Sequence, residues 1–570
     1  MEEENNINEP ISKHIFMFPF KWDKTIGKEV YSLYTKRVNI KEILDVFRND
    51  KNWTIEYNHT DKSPIERIED YNEYTYFYNN VRDAIYGNDE VKKIEDKIVF
   101  NFSYKKNKTG MYIITCKDST KQTQKYELQI DKIQLKIYST GIGILSYFVS
   151  NYRYDSLKDI NRINEYGRRI YPQYLDFETK KVGTIKENCL AESLEIKYRK
   201  ENIDDDIDDV DIIEKFDGAY NEEGNRVAKI IEDILGADQF TSIKDAVHKE
   251  RYLDKPFAIK PIIDDRMFVM CTFFNNEVSN RLKSTGEKYP YLEEKEWYEY
   301  VFCEPNGCCC TNKNLMKQKL ESHTYARWSE YGTLYGISDY TFVALTNEGG
   351  RKFTDIQMQT MYYQMVCLLL AQRSSIRRFE NELTDLSTYI RENGCKDEIS
   401  QMVQEVNANY LCFTNAIYFR EVTPQEQGIE LYELAQEKMK INSNIKELKE
   451  DINELSQYAS AMVNSKTENI LNFLTHLSII FMVPALLTGI AGMNILIDDK
   501  KSIMRNLEIT TEIFIWGILF GVLFLCLCEP VQRFWEVIRK REIARIVIKI
   551  FLAIVCVGSL GIIGIMIIRP

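Results

Sequence analysis

Two periodicities divide the chain. Apolar residues recur at every second position through Tyr126, Leu128 and Ile130 and again through Ile133, Leu135 and Ile137. That alternation predicts strands, and TGIGILSYFVSNYRY, Thr140 to Tyr154, predicts a second extended stretch. Helical patterning lies between such stretches, as at Asn221 to Leu235, while the acidic run Ile203 to Phe216 (IDDDIDDVDIIEKF) predicts a surface loop or helix start. From Phe353 the period lengthens: a long helix is predicted over Asp355 to Glu392, a second around Glu398 to Arg420, and Pro424 opens a third. In the third, Leu431, Leu434, Lys438, Ile441, Ile445, Leu448, Ile452, Leu455, Ala459 and Met462 alternate spacings of three and four. Such a/d spacing means a coiled-coil seam, within the chain or between copies. With no glycine or proline between Ile429 and the apolar segment that follows, one unbroken helix from Gln427 to Asn494 is expected, roughly 100 Å long at 1.5 Å per residue.

Nearly all long apolar runs lie beyond residue 469. Three hydrophobic segments occur there: Ile470 to Ala491, the short Ile513 to Cys528, and Ile546 to Ile568, which is long enough to span a hydrocarbon core. The first, within Lys466 to Asn494 (KTENILNFLTHLSIIFMVPALLTGIAGMN), carries Glu468, Asn472, Thr475, His476 and Ser478 at or near bilayer depth. Uncompensated polar groups there are costly for a plain anchor, but they have a use in a helix lining a watery pore. The linker between the second and third segments holds Arg533, Arg539, Lys540, Arg541, Arg545 and Lys549, whereas the linker before it mixes acidic and basic residues. The positive-inside rule places the basic linker in the cytosol beside the N-terminal body. The N-terminus, MEEENNINEPISKHIF, has no charged-then-apolar signal pattern. The expected fold class is therefore an α+β cytosolic domain (1–352), a helical coiled-coil stalk (353–466) and an α-helical membrane domain (467–570) of two to three spans, in the cell inner membrane. Gly517 with Gly521, and Gly558, Gly561 and Gly564, are small residues that allow close helix approach in lipid or are simply tolerated there.

Charge and chemistry narrow the function. A net charge of -12 argues against a nucleic-acid backbone as direct partner. Thirteen cysteines at irregular spacing in a cytosolic chain read as reduced thiols. The cluster Cys303, Cys308, Cys309 and Cys310 invites a zinc site, but three consecutive cysteines do not readily close a tetrahedron and no histidine pair is near in sequence. Gly141 and Gly143 lack the third glycine of a dinucleotide loop, no Walker GKS/GKT occurs, and the five histidines are scattered. An enzyme has little to stand on, and no organic cofactor is expected.

The segment Lys466 to Asn494, with its Leu474-Thr475 pair, Ile480-Phe481-Met482 and the closing Gly489-Ile-Ala-Gly492-Met493-Asn494, resembles the pore helix of the CorA magnesium transporter family. The close likeness covers about thirty residues. It implies a homo-oligomer around a central axis, a pentamer by resemblance or a tetramer, whose first spans line a conduit for Mg2+ or another divalent cation. Helical spacing then puts Glu468, Leu471, Thr475, Ser478, Met482, Ala485 and Gly489 on the pore face, with Leu474 beside them. Leu471, Met482 and Leu474 would be apolar constrictions, Thr475 and Ser478 would face the ion's water, and Gly492, Met493 and Asn494 would form the selectivity loop. Magnesium gives up its waters reluctantly, so neutral oxygens holding the hydrated ion suit it. Departures from the family are the acidic Glu468, a proline (Pro484) one position late, Ala491 and Ile495 where aromatic residues are usual, a third hydrophobic segment and a much longer body. They bear on ion selectivity and subunit number.

The long body suggests regulation. Asp204, Asp205 and Asp208, within the acidic run, are candidates for a regulatory metal held by carboxylates, or form a solvated loop. The enlarged body and altered pore helix also resemble a CorA-like branch encoded beside type III CRISPR systems and activated by an S-adenosylmethionine–AMP conjugate. For such a nucleotide ligand the candidate contacts are Arg168, Arg169, Arg327 and Trp328. The alternatives are a housekeeping magnesium uptake transporter closed by cytosolic Mg2+, and a non-conducting membrane-anchored binding module.

Overall fold

The computed structural model describes residues 9–26, 29–31, 40–56, 68–87, 97–104, 110–117, 122–171, 190–198, 210–216, 227–236, 238–242, 256–393 and 397–492, with 511, 512 and 515. Two units are distinguished, Met1–Gln457 and Tyr458–Pro570.

The first is built on β1 (Ser12–Ile26), where Phe16, Phe18, Phe20 and Trp22 alternate toward one face and Ile15 and Met17 toward the other, all buried. A strand apolar on both sides belongs in the middle of a sheet covered on both faces, and β1 has neighbours on both edges. The further strands are β2 (Glu29–Tyr31), β3 (Trp53–Ile55), β4 (Val99–Tyr104), β5 (Gly110–Lys117), β6 (Thr123–Tyr138), β7 (Ile142–Asn151), β8 (Ser193–Tyr198), β9 (Val210–Lys215), β10 (Phe240–Ser242), β11 (Phe257–Pro261), β12 (Phe268–Phe274), β13 (Thr324–Tyr325), β14 (Leu334–Ile337) and β15 (Thr341–Thr346). They pair in the order β13-β14-β15-β12-β1-β7-β6-β5-β8-β9. The outer half of β1 continues onto β11, and β4 flanks β6. Pairing is antiparallel except for β12 with β15 and β10 with β11.

The alternation in Tyr126–Ile137 belongs to the single strand β6, whose register shifts between Ile130 and Lys132; that bulge keeps both apolar series buried. Gly143 on β7 faces Phe20 on β1, and a Cβ there would lie 2.3 Å from the ring. The glycine makes room for the aromatic side chain.

Helices cover both faces. On one lie α1 (Ile40–Asn49), α4 (Leu157–Gly167), α5 (Lys229–Leu235), α7 (Lys295–Phe302) and α8 (Lys313–His323), which share a core with Phe16 and Phe20. Helices α2 (Ile68–Tyr76), α3 (Asn79–Tyr86) and α6 (Asn276–Leu282) complete the body. On the other face run α9 (Glu348–Gln359) and α10 (Met361–Asn393), where Tyr363 packs its ring on Phe148 at 4.7 Å and donates to Ser146 Oγ at 3.1 Å. Helix α11 (Asp397–Ala416) returns along α10, with Phe379 against Tyr410 and Phe413. Helices α12 (Glu426–Lys438) and α13 (Ile441–Gly492) follow.

Three expectations are corrected. The helix predicted over Asp355 to Glu392 breaks at Thr360, whose hydroxyl donates to Ile356 O at 2.6 Å, leaving α9 free to cap the sheet separately. The part of the acidic run within the described residues is strand β9, drawn into the sheet by β8; Ile212 and Glu214 face inward, and Glu214 accepts the Lys229 N–H at the start of α5. The single helix expected from Gln427 to Asn494 is two, α12 and α13, with Lys440 between them at φ +55°. Within the single chain the seam residues Ile441, Ile445, Leu448, Ile452 and Ala459 are buried.

Candidate functional site

Past Ala459 no described side chain of α13 is buried. Ile470, Leu471, Leu474, Phe481, Met482 and Leu486 are all about half exposed or more, with Leu486 at 65%. Each such side chain, already half covered, gains about 1–2 kcal/mol more on leaving water, so this surface calls for a cover. At 100° per residue, Glu468, Leu471, Leu474, Thr475, Ser478, Met482, Ala485 and Gly489 fall within an arc of about 120°. Those eight residues are all exposed, and Gly489 would meet nothing if given a Cβ. Ile470, Phe473, Leu477 and Phe481 share a different face, while Asn472 and His476 lie outside the arc, about 40° and about 80° beyond Glu468.

The polar side chains are tied to their own helix. Thr475 Oγ1 donates to Leu471 O and Ser478 Oγ to Leu474 O, each at 2.8 Å, and His476 Nδ1 meets Asn472 O. Such back-bonding satisfies a hydroxyl donor on an apolar helix and leaves its lone pairs free. Gly492 is the last residue of α13; Met493 and Asn494 lie outside the described residues, as do Asp204, Asp205 and Asp208 and nearly all of the expected spans 513–528 and 546–568. Among the described residues no helix is long and apolar enough to cross a membrane.

The candidate ligand contacts of the body sit in two separate places. Arg168 and Arg169, at the end of α4, are buried: both pair with Glu165, and Arg169 also pairs with Asp265 in the turn before β12. Asp265 is held above the usual carboxylate range by burial and by neighbouring Asp264. Arg168 keeps Nε and Nη1 without a hydrogen-bond partner. Arg327 is exposed and reaches α12, with Nη2 at 2.8 Å from Glu426 and Nη1 at 2.9 Å from Glu430, which also accepts from the Tyr325 hydroxyl. That hydroxyl, together with Arg327, holds the Glu430 carboxyl below its ordinary range. Trp328 packs on Tyr325 and Tyr335. Sequence reasoning named Arg327 but missed its partners, which lie about a hundred residues away and carry no local signal.

Among the cysteines, Cys309 Sγ donates to Glu304 Oε1 at 2.8 Å, and that bond with burial pushes the thiol up to about 11. No group of three or more His, Cys, Asp or Glu is placed to hold a metal among the described residues.

Residues 365–528 match the family described as CorA-like Mg2+ transporter protein. This segment is CorA-like. The match begins inside α10, so it takes in the helical part of the chain and leaves out the sheet. The CorA family consists of transporters, not enzymes. The CorA magnesium transporter from Methanocaldococcus jannaschii is a structural match at 13% identity, covering 46% of this chain and 92% of that one, with a TM-score of 0.19. A score that low carries no statement about fold. No curated protein matches the chain.

Proposed function

We propose that copies of this chain assemble around an axis into a membrane conduit for Mg2+ or another divalent cation, with α13 from Glu468 onward lining it and the sheet-bearing unit regulating it. The observation that carries this reading is the bonding of Thr475 and Ser478. Their hydroxyl protons are directed to carbonyls of their own helix, so what they present outward is acceptor oxygen. The waters around a cation point their hydrogens away from it, and acceptors receive those hydrogens. Leu471, Leu474 and Met482 share the arc and would supply constrictions that close by dewetting. Glu468 would add a carboxylate ring at one mouth, and Gly492, Met493 and Asn494 an oxygen ring at the other. The CorA-like match over 365–528 supports the same assignment.

The test is flux into liposomes carrying the purified full chain and an entrapped Mg2+ indicator. E468Q is expected to change conductance or divalent preference, and N494A to impair selectivity. Lack of flux with and without Mg2+ or a nucleotide conjugate on the body side would overturn the reading. Flux that rises with an S-adenosylmethionine–AMP conjugate identifies ligand gating; closure by Mg2+ alone identifies a housekeeping transporter.

A further inference from the structure

Helices α12 and α13 are separated only by Met439 and Lys440. At Lys440 φ is +55°, a left-handed conformation that a residue with a Cβ rarely takes. Local sequence contributes only weakly: Asn442, Ser443 and Asn444 favour helix ends, and Ser443 Oγ bonds back to Lys440 O at 3.0 Å, but lysine is a good helix former and neither glycine nor proline occurs from Ile429 to Val483.

The bend is imposed from outside the helix. Gln436, buried on α12, donates to Phe419 O at 3.0 Å. Asn442, across the break, donates to Gln436 Oε1 at 3.4 Å and accepts from the Tyr418 hydroxyl at 2.8 Å. At its other end α12 is latched through Glu426 and Glu430 to Arg327. Between latch and bracket, Leu431, Ala435 and Met439 pack beside Ile337 and Phe342 around a partly open space no larger than a water molecule. Local preference and tertiary contacts thus call for different shapes of the same segment, which is the condition for two discrete states.

We propose that the Met439–Lys440 joint is a two-state element. It is bent while the Tyr418–Asn442–Gln436 bracket and the Arg327 latch are closed, and it straightens into one continuous helix when they open. The body would thereby set the direction of the long helix through contacts on Glu426 and Glu430. The link to conduction rests on the function proposed above; the joint itself does not.

Spin labels at Glu433 and Lys449, exposed on either side of the break, report the joint in the full-length protein. In a straight helix these positions lie about 24 Å apart along the axis, and closer when bent. Two distance populations are expected. Lys440→Gly, which accepts positive φ and disfavours helix, should enrich the short distance about 2- to 5-fold; Tyr418→Phe with Asn442→Ala should enrich the long one. A single distance unmoved by either change overturns the proposal. Liposome flux is measured on the same variants: opposite shifts support coupling, whereas moving distances without flux in any variant sink the conduit and leave the joint standing.

Discussion

His14 shows how a buried polar group is kept harmless inside an aromatic sheet. Its Nδ1 lies 2.7 Å from Asn164 Oδ1, an acceptor, so the proton sits on Nδ1. Nε2 then accepts from Ser12 Oγ at 2.9 Å, and Ser12 accepts from Asn151 Nδ2 at 2.8 Å. Burial lowers the imidazole pKa to about 4. Because the folded value lies below the unfolded one near 6.5, stability is full above pH 6.5 and is lost as pH falls toward 4, by about 3 kcal/mol. Denaturant melts of His14→Gln should lack that loss; equal pH slopes for the two proteins would show that His14 does not titrate in this window. None of this was legible from five scattered histidines: Ser12 is near in sequence, but Asn164 comes from α4, and Asn151, which holds Ser12, from β7.

At the level of elements, legibility followed how local the cause was. The strands β6 and β7 were readable since alternation in one and a mostly apolar run in the other record burial directly. Strand β9 was misread because its charged residues occupy the exposed positions of a strand, save Glu214, which turns in to meet α5. The breaks at Thr360 and Lys440 left no glycine or proline behind; at Thr360 the side chain bonds back to its own helix, and at Lys440 the flanking side chains are held by Tyr418 and Phe419 outside both helices. That Glu468, Leu471, Thr475, Ser478, Met482, Ala485 and Gly489 share one side of α13 was legible from helical spacing alone, whereas the pairing of Arg327 with Glu426 and Glu430 was not. The glycine facing Phe20 supplies a sharper test. Gly143→Val should cost about 1–3 kcal/mol by overpacking, measured by thermal unfolding, and Gly143→Val with Phe20→Leu should recover part of the loss. Indifference to the single change would mean that the ring is not seated as described.

For the whole molecule, the division at Gln457 coincides with the loss of buried side chains along α13. A fragment ending at Gln457 is expected to remain monodisperse without detergent, and the full chain to need it. Aggregation of the fragment on size-exclusion chromatography would show that the body depends on later residues for its cover.

The position of β1 has a further consequence, for synthesis. Ser12 pairs with Asn151 on one side and with Phe273 on the other, so one flank of this strand stays open long after the other has zipped. At about 5–20 residues per second, the missing neighbour leaves the ribosome on the order of ten seconds later. Throughout that wait the nascent chain carries an unpaired aromatic edge, the kind of surface that holdase chaperones shield and crowded polysomes stick together.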